Sequence, residues 1–94
     1  MMHYLYILHS QSIDKYYVGE SADVNLRLDL HNSHHFKKGF TNAASDWAIK
    51  LTFECSLKND ALYLEKFIKR MKSKKFTMKI IDDPNILNDI LSKK

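Results

Sequence analysis

The chain has 94 residues, 45% of them hydrophobic, with two glycines and one proline, a composition that supports one modest core over residues 1–94 and excludes a disordered tail or a second domain. Fifteen Lys and Arg against eleven Asp and Glu leave a formal charge of +4, which favours anionic partners. Cys55 is the only cysteine, so an internal disulfide is excluded and a cysteine-based zinc site is disfavoured. No stretch approaches the ~18 apolar residues of a membrane span, and the first residues run directly into a strand pattern without a cleavable signal. The expectation is a soluble cytoplasmic protein with no membrane partner.

His3 to His9 reads His-Tyr-Leu-Tyr-Ile-Leu-His, bounded by Ser10-Gln11-Ser12, and predicts a strand. Lys15 to Gly19 predicts a second, and the short polar connection ending in Asp14 suits an antiparallel hairpin. Alternation puts Tyr4, Tyr6 and Leu8 on one face and Tyr17 with Gly19 on one face of the partner. Tyr6 and Tyr17 can therefore meet.

Ser21-Ala22-Asp23 offers capping oxygens to a helix running to about Asn32. Val24, Arg27, Leu28 and His31 fall at i, i+3, i+4 and i+7 and share a face, with Leu26 and Leu30 widening its apolar side. An arginine on that face is costly unless it meets an anion or lines a cleft. Residues 32–46 read as a long polar loop. Its adjacent His34 and His35 are poorly placed to ligate one ion together, so no zinc site is assigned there.

The third strand is expected at about Ala48 to Cys55, with Ile49, Leu51, Phe53 and Cys55 on one side, Lys50, Thr52 and Glu54 on the other, and Trp47 anchoring its start. Asn59 or Asp60 is expected to cap a second helix whose buried stripe is Ala61, Leu64, Ile68 and Met71. Glu65 lies four after Ala61 and three before Ile68, inside that stripe, where a carboxylate needs a partner, a metal or a cleft. Phe76, Met78, Ile80 and Ile81 fit helix or strand. Pro84 then opens a last helix over about 84–92, with Ile86, Leu87, Ile90 and Leu91 as its apolar face.

The positive charge is uneven. Lys66, Lys69, Arg70, Lys72, Lys74, Lys75 and Lys79 fall within fourteen residues, a segment suited to polyanions and above all to nucleic acid. Lys37 and Lys38 extend that path.

The order Tyr6-Ile7-Leu8, Tyr16-Tyr17-Val18-Gly19, Arg27, Leu28-Asp29-Leu30-His31-Asn32, Trp47 and Ala61-Leu62-Tyr63-Leu64-Glu65-Lys66, followed by Lys72-Ser73-Lys74-Lys75, resembles the small single-domain, UPF0213-like branch of the GIY-YIG nuclease superfamily over about residues 2–80. The resemblance implies an α+β fold, an α/β sandwich in which a small three-stranded antiparallel sheet is flanked by helices. It also implies a metal-dependent DNA endonuclease, structure- or single-strand-directed with weak sequence specificity, in DNA repair, recombination or the processing of foreign DNA. The family's two motif tyrosines, helix arginine and later glutamate fall on Tyr6, Tyr17, Arg27 and Glu65, and the histidine of the small branch falls on His31. The nucleic-acid contacts expected are Lys38, Lys66, Lys69, Arg70, Lys72, Lys74 and Lys75.

Phosphodiester hydrolysis needs an activated water and charge stabilisation on the phosphoryl group. Magnesium, or manganese, bridged by substrate phosphate needs only one or two protein carboxylates, so Glu65 is an adequate anchor. Arg27 can hold nonbridging oxygens bidentately. Either Tyr17 or His31 could take the water's proton. The alternative reading is a nucleic-acid-binding module on the same scaffold without catalysis, and a third is a protein-docking role for the basic helix.

The chain departs from the family pattern in four places. The first motif reads Tyr-Leu-Tyr instead of Gly-Ile-Tyr, and Val18 replaces isoleucine. Glu20 stands where relatives carry an aromatic residue or a lysine, and it would repel a phosphate unless it points away or joins the metal site. The stretch Asn42 to Asp46 lacks the basic, proline-bearing approach to Trp47.

Overall fold

Two-faced strands determine this architecture. The computed structural model describes residues 2–33 and 40–94. β1 (His3–Ser10) is the central strand of an antiparallel sheet of order β2-β1-β3, with β2 (Lys15–Ser21) joined to it by a tight hairpin and β3 (Trp47–Cys55) on its other edge. Asp14, at φ 49°, turns the hairpin in the left-handed region that Asp tolerates. Leu5 and Ile7 face one layer, and Tyr6 and Leu8 the other; all four are buried.

The Leu5 and Ile7 face carries the larger core. Val18, Cys55, Ala61, Leu64, Ile68, Ile80, Leu87 and Ile90 close over it, supplied largely by three helices: α2 (Lys58–Met71), α3 (Lys74–Asp82) and α4 (Asn85–Ser92). The opposite face carries a smaller cluster of Tyr6, Leu8, Val24, Ala44 and Trp47, covered by α1 (Val24–Asn32) and a 3-10 turn at Phe40–Ala43. The fold is therefore α+β, a sheet between two helical layers of unequal size.

Three details differ from expectation, and a segment that fits either helix or strand in sequence is resolved. Ile49, Leu51, Phe53 and Cys55 do not share a side: Ile7 pairs with Leu51 but Leu8 with Ile49, so Lys50 is an extra residue in β3, a β-bulge that reverses the alternation. Ile49 joins the Tyr6 face, while Leu51 and Phe53 pack on the larger core. The second helix begins at Lys58, before Asn59 and Asp60, and Leu57 at its N-cap makes no side-chain capping bond; Asp60 lies in the first turn, where its charge suits the helix dipole. Met71 and Leu26 are exposed, at 48% and 54%, because each sits at the margin of its helix's buried face. The ambiguous segment around Phe76 to Ile81 is helical: Lys72, at φ 49°, ends α2, and the Ser73 side chain accepts from the Phe76 backbone N–H (3.0 Å) to start α3.

The asparagine-to-aspartate approach to Trp47 has its own anchor. Asp46 accepts hydrogen bonds from Ser10 Oγ (2.5 Å), Ser12 N (2.9 Å) and Ser12 Oγ (3.0 Å), tying the hairpin to the start of β3. Those bonds hold its carboxyl below the usual range.

Gly19 is the tightest point of the sheet. It pairs directly with Tyr6, and a Cβ at Gly19 would lie 2.5 Å from the Tyr6 hydroxyl oxygen and 2.6 Å from Cζ. Gly19→Ala should destabilise the fold by about 1–3 kcal/mol through overpacking, read as a lower urea midpoint. The same substitution in a Tyr6→Ala background should cost far less, and equal costs in the two backgrounds would remove the contact from the account.

Candidate active site

Tyr6 reaches over Gly19 into a chain of buried polar groups. Its Oη is hydrogen-bonded to His31 Nε2 (3.1 Å), and His31 Nδ1 to Thr41 Oγ1 (2.7 Å). The Thr41 carbonyl accepts from Trp47 Nε1 (2.8 Å). Asn32, next along α1 from His31, clamps the Trp47 backbone from both sides, accepting from its N–H (2.8 Å) and donating to its carbonyl (3.0 Å). Tyr6, His31, Thr41 and Trp47 are all buried, at 2%, 4%, 1% and 3% exposure, so these bonds pair polar groups that have been withdrawn from water.

A neutral imidazole offers one donor and one acceptor, and both His31 nitrogens are engaged. Burial, helped by the Arg27 charge, holds the His31 pKa below its ordinary value. Burial also pushes the Tyr6 phenol above its usual range, followed by the repulsion of Tyr17 and opposed by Arg27; Glu65 and, more weakly, Glu20 raise it further. Tyr6 therefore stays a phenol and His31 an uncharged imidazole at neutral pH.

Tyr17 stands beside this pair. Its ring centroid lies 6.3 Å from that of Tyr6 and 4.7 Å from that of His31, and unlike Tyr6 it is only half-buried. Lys69 Nζ is 5.2 Å from the Tyr17 ring centroid and donates to Glu65 Oε2 at 2.8 Å. One ammonium thus joins the second tyrosine to the carboxylate of α2. Glu65, with a side chain 19% exposed, occupies the flank of the buried stripe, consistent with its spacing.

The structure therefore gathers Tyr6, Tyr17, His31, Glu65 and the field of Arg27 into one region. Glu20 lies at its margin: alternation sends it with Val18 to the opposite face, where its Oε2 lies 3.1 Å from His3 Nδ1, although its charge still reaches Tyr6. The basic run divides. Lys69 and Lys72 lie on the side of α2 that carries Glu65, whereas Lys66 and Arg70, one residue further round the helix, are exposed on its outer side with Lys75 also exposed on α3. Lys74 pairs with Asp14. Lys38, together with His34, His35 and Lys37, lies outside the described residues.

Thr41 is the residue that sequence reasoning missed. It comes from a stretch without periodicity, and no local signal marks it; Asn32 was visible only as part of a motif, and Trp47 as part of that motif and as the anchor of the third strand's start. Among the described residues no three His, Cys, Asp or Glu side chains group as metal ligands. A single carboxylate nevertheless fits magnesium that keeps waters and shares phosphate oxygens; in the structure Glu65 is paired with Lys69 in an i,i+4 salt bridge. No helix among the described residues is long and apolar enough to cross a membrane.

Comparison with known families matches residues 2–79 to the GIY-YIG catalytic domain. Among solved structures, the fold is similar to the solution NMR structure of the UPF0213 protein BH0048 from Bacillus halodurans, with a TM-score of 0.55, 24% sequence identity, and coverage of 87% of this chain and 84% of that one. A search of curated proteins gave no match.

The polar chain makes stability depend on pH. The folded His31 pKa lies below its unfolded value of about 6.5, so the unfolded state binds more protons: the contribution is complete above that pH and is lost as pH falls below it. Urea midpoints measured from pH 7.5 to 5 should fall, and a His31→Phe variant should flatten that dependence. Thr41→Val should cost about 1–3 kcal/mol at pH 7.5 by leaving His31 Nδ1 without its partner; a midpoint unchanged by that substitution would count against the chain as a structural element.

Proposed function

The chain belongs to the GIY-YIG family, and from that premise we propose that it is a divalent-metal-dependent endonuclease that hydrolyses phosphodiester bonds in nucleic acid, with DNA as the expected substrate. The observation that carries the reading is the single ammonium of Lys69, which bridges a half-exposed tyrosine and a carboxylate beside a neutral, fully engaged histidine. The described residues build one sheet with its flanking helices, so binding by this fold should come from phosphate contacts and sequence preference should be weak.

The geometry favours Tyr17 over His31 as the proton acceptor. Both His31 nitrogens are occupied inside the protein, whereas the Tyr17 ring borders solvent. Tyr17 Oη takes the proton of the attacking water as that water's oxygen bonds to phosphorus and the bond from phosphorus to the leaving oxygen breaks, with the Lys69 ammonium 5.2 Å from the centre of the same ring. Tyr6 is almost fully buried, and together with His31 it braces the Tyr17 ring from behind; both are positioning residues in this scheme. Arg27 pairs with nonbridging phosphoryl oxygens and offsets the negative charge that builds there. Glu65 would hold magnesium or manganese, which when bound supplies Lewis-acid polarisation of the phosphoryl group. For that, the Lys69 ammonium must leave the carboxylate.

Role in repair, recombination or the handling of foreign DNA is part of the same proposal, as is a cytoplasmic location. In an assay with labelled single-stranded, duplex and branched DNA, Tyr17→Phe should lower magnesium-dependent cleavage about a hundredfold or more while leaving affinity in chelator within about twofold. Glu65→Gln should do the same. Full activity in Tyr17→Phe would transfer the base role elsewhere, and cleavage that survives both chelation and Glu65→Gln would remove the metal from the mechanism. Salt-sensitive binding without any cutting would favour the non-catalytic module.

A further inference from the structure

A recess of about 560 Å³ opens on the far side of Tyr17, between the outer edge of β2 and the junction of α2 with α3. Tyr17 and Lys69 belong both to this recess and to the candidate active site, so the two are continuous. Four lysines line it: Lys15 from β2, Lys69 and Lys72 from the end of α2, and Lys74 from the start of α3. Its floor is apolar, formed by Tyr16, Val18 and Ile68. Lys15 belongs to no basic run in the sequence; hairpin geometry alone brings it there.

The charge balance of the recess singles out two of these lysines. Lys69 is held by Glu65, and Lys74 by Asp14, which is also bonded to His9 Nε2 at 2.9 Å. Asp14 lines the recess, and with Lys74 and His9 drawn onto it, its carboxyl is held below the usual range and its charge is locally offset. Among the described residues neither Lys15 nor Lys72 is in an ion pair, and both are exposed. Two lysines outside any such ion pair thus border a recess that also has aromatic and aliphatic lining.

That combination has a specific chemical match. A phosphate flanking the scissile bond is attracted by the lysines, but a phosphate alone has no use for an apolar floor. A double helix keeps its bases stacked inward and presents mainly phosphate and sugar to such a surface. An unpaired nucleotide can turn its base onto the floor while its phosphates meet the lysines, the arrangement by which single strands are gripped without sequence preference. The volume lies within the roughly 300–1,000 Å³ of small-ligand sites, a scale suited to a nucleotide and too small for a duplex.

We infer that this recess is a subsite for an unpaired nucleotide of a single strand, next to the phosphodiester presented to Tyr17, with Lys15 and Lys72 as its phosphate contacts. The inference rests on the nuclease reading, which supplies the strand that enters the recess.

The test compares Lys15→Gln/Lys72→Asn with Lys58→Gln/Lys93→Gln, which removes equal charge from exposed lysines elsewhere. Asparagine is chosen at position 72 because it tolerates the positive φ. Affinity for a fluorescent single-stranded oligodeoxynucleotide, its RNA counterpart and the matching duplex is measured by anisotropy in chelator over a series of salt concentrations. The unaltered chain should bind one of the single strands several-fold more tightly than the duplex. The recess variant should lose about tenfold of that affinity and flatten the single-strand salt slope by about 1.4, with little change for duplex. The control pair should lose less than about twofold. Equal losses in the two variants, an equal loss for duplex, or failure of the unaltered chain to bind either single strand would overturn the inference. Magnesium-dependent cutting is read on the same samples: recess-dependent binding without cutting retires the nuclease reading and leaves the nucleotide subsite standing.

Discussion

The Tyr6 phenol lies across the edge strand at the one position where that strand carries no side chain. With any Cβ at Gly19 the ring could not occupy this place, and the hydroxyl could not reach His31. From that contact the rest of the centre follows. His31 is fixed on one nitrogen by Tyr6 and on the other by Thr41, Thr41 is fixed by the Trp47 indole, and Asn32 fixes the Trp47 backbone. A glycine in the middle of a strand weakens it; here the loss is accepted in exchange for a tyrosine directed toward the sheet edge, where Tyr17 stands.

The sheet also separates two tasks. The Leu5 and Ile7 face supplies a conventional apolar core under three helices, while the Tyr6 face buries a polar network under one short helix and a 3-10 turn. A buried network of this kind is stabilising only when every member is paired, and the bulge at Lys50 helps to arrange that. By reversing the alternation within β3, it sends Trp47 and Ile49 to the polar side and Leu51, Phe53 and Cys55 to the core. Glu65 and Lys69 on α2 then act around the free edge of β2, so the working surface lies at a margin of the sheet and not over its centre.

Much of this was legible from residue spacing. Period-two alternation placed Tyr6 beside Tyr17, helical spacing aligned Arg27 with His31, and Glu65 fell within the apolar stripe of α2. The same alternation could have assigned Glu20 to the Val18 side, which resolves the apparent conflict of an acid beside the motif glycine. Other features leave no trace in a periodic pattern. The bulge is invisible because apolar residues alternate without interruption from Trp47 to Cys55, and only pairing with β1 reveals the extra residue. Thr41 comes from an aperiodic stretch and acquires its role by long-range contact. The basic run looked uniform in sequence, yet helix geometry divides it, placing Lys69 and Lys72 beside Tyr17 and turning Lys66 and Arg70 away.

His31 is a neutral spacer with both nitrogens bound inside the protein, and the base role proposed for Tyr17 depends on it. Nitrogen-15 NMR of the histidine side chains tests this directly. The account predicts that the two His31 ring nitrogens hold the shifts of a single neutral tautomer at about pH 7 and titrate below the range of an exposed imidazole, and that Thr41→Val moves them. A His31 that titrates with a pKa near about 6.5, or whose two nitrogens average between tautomers, would contradict it.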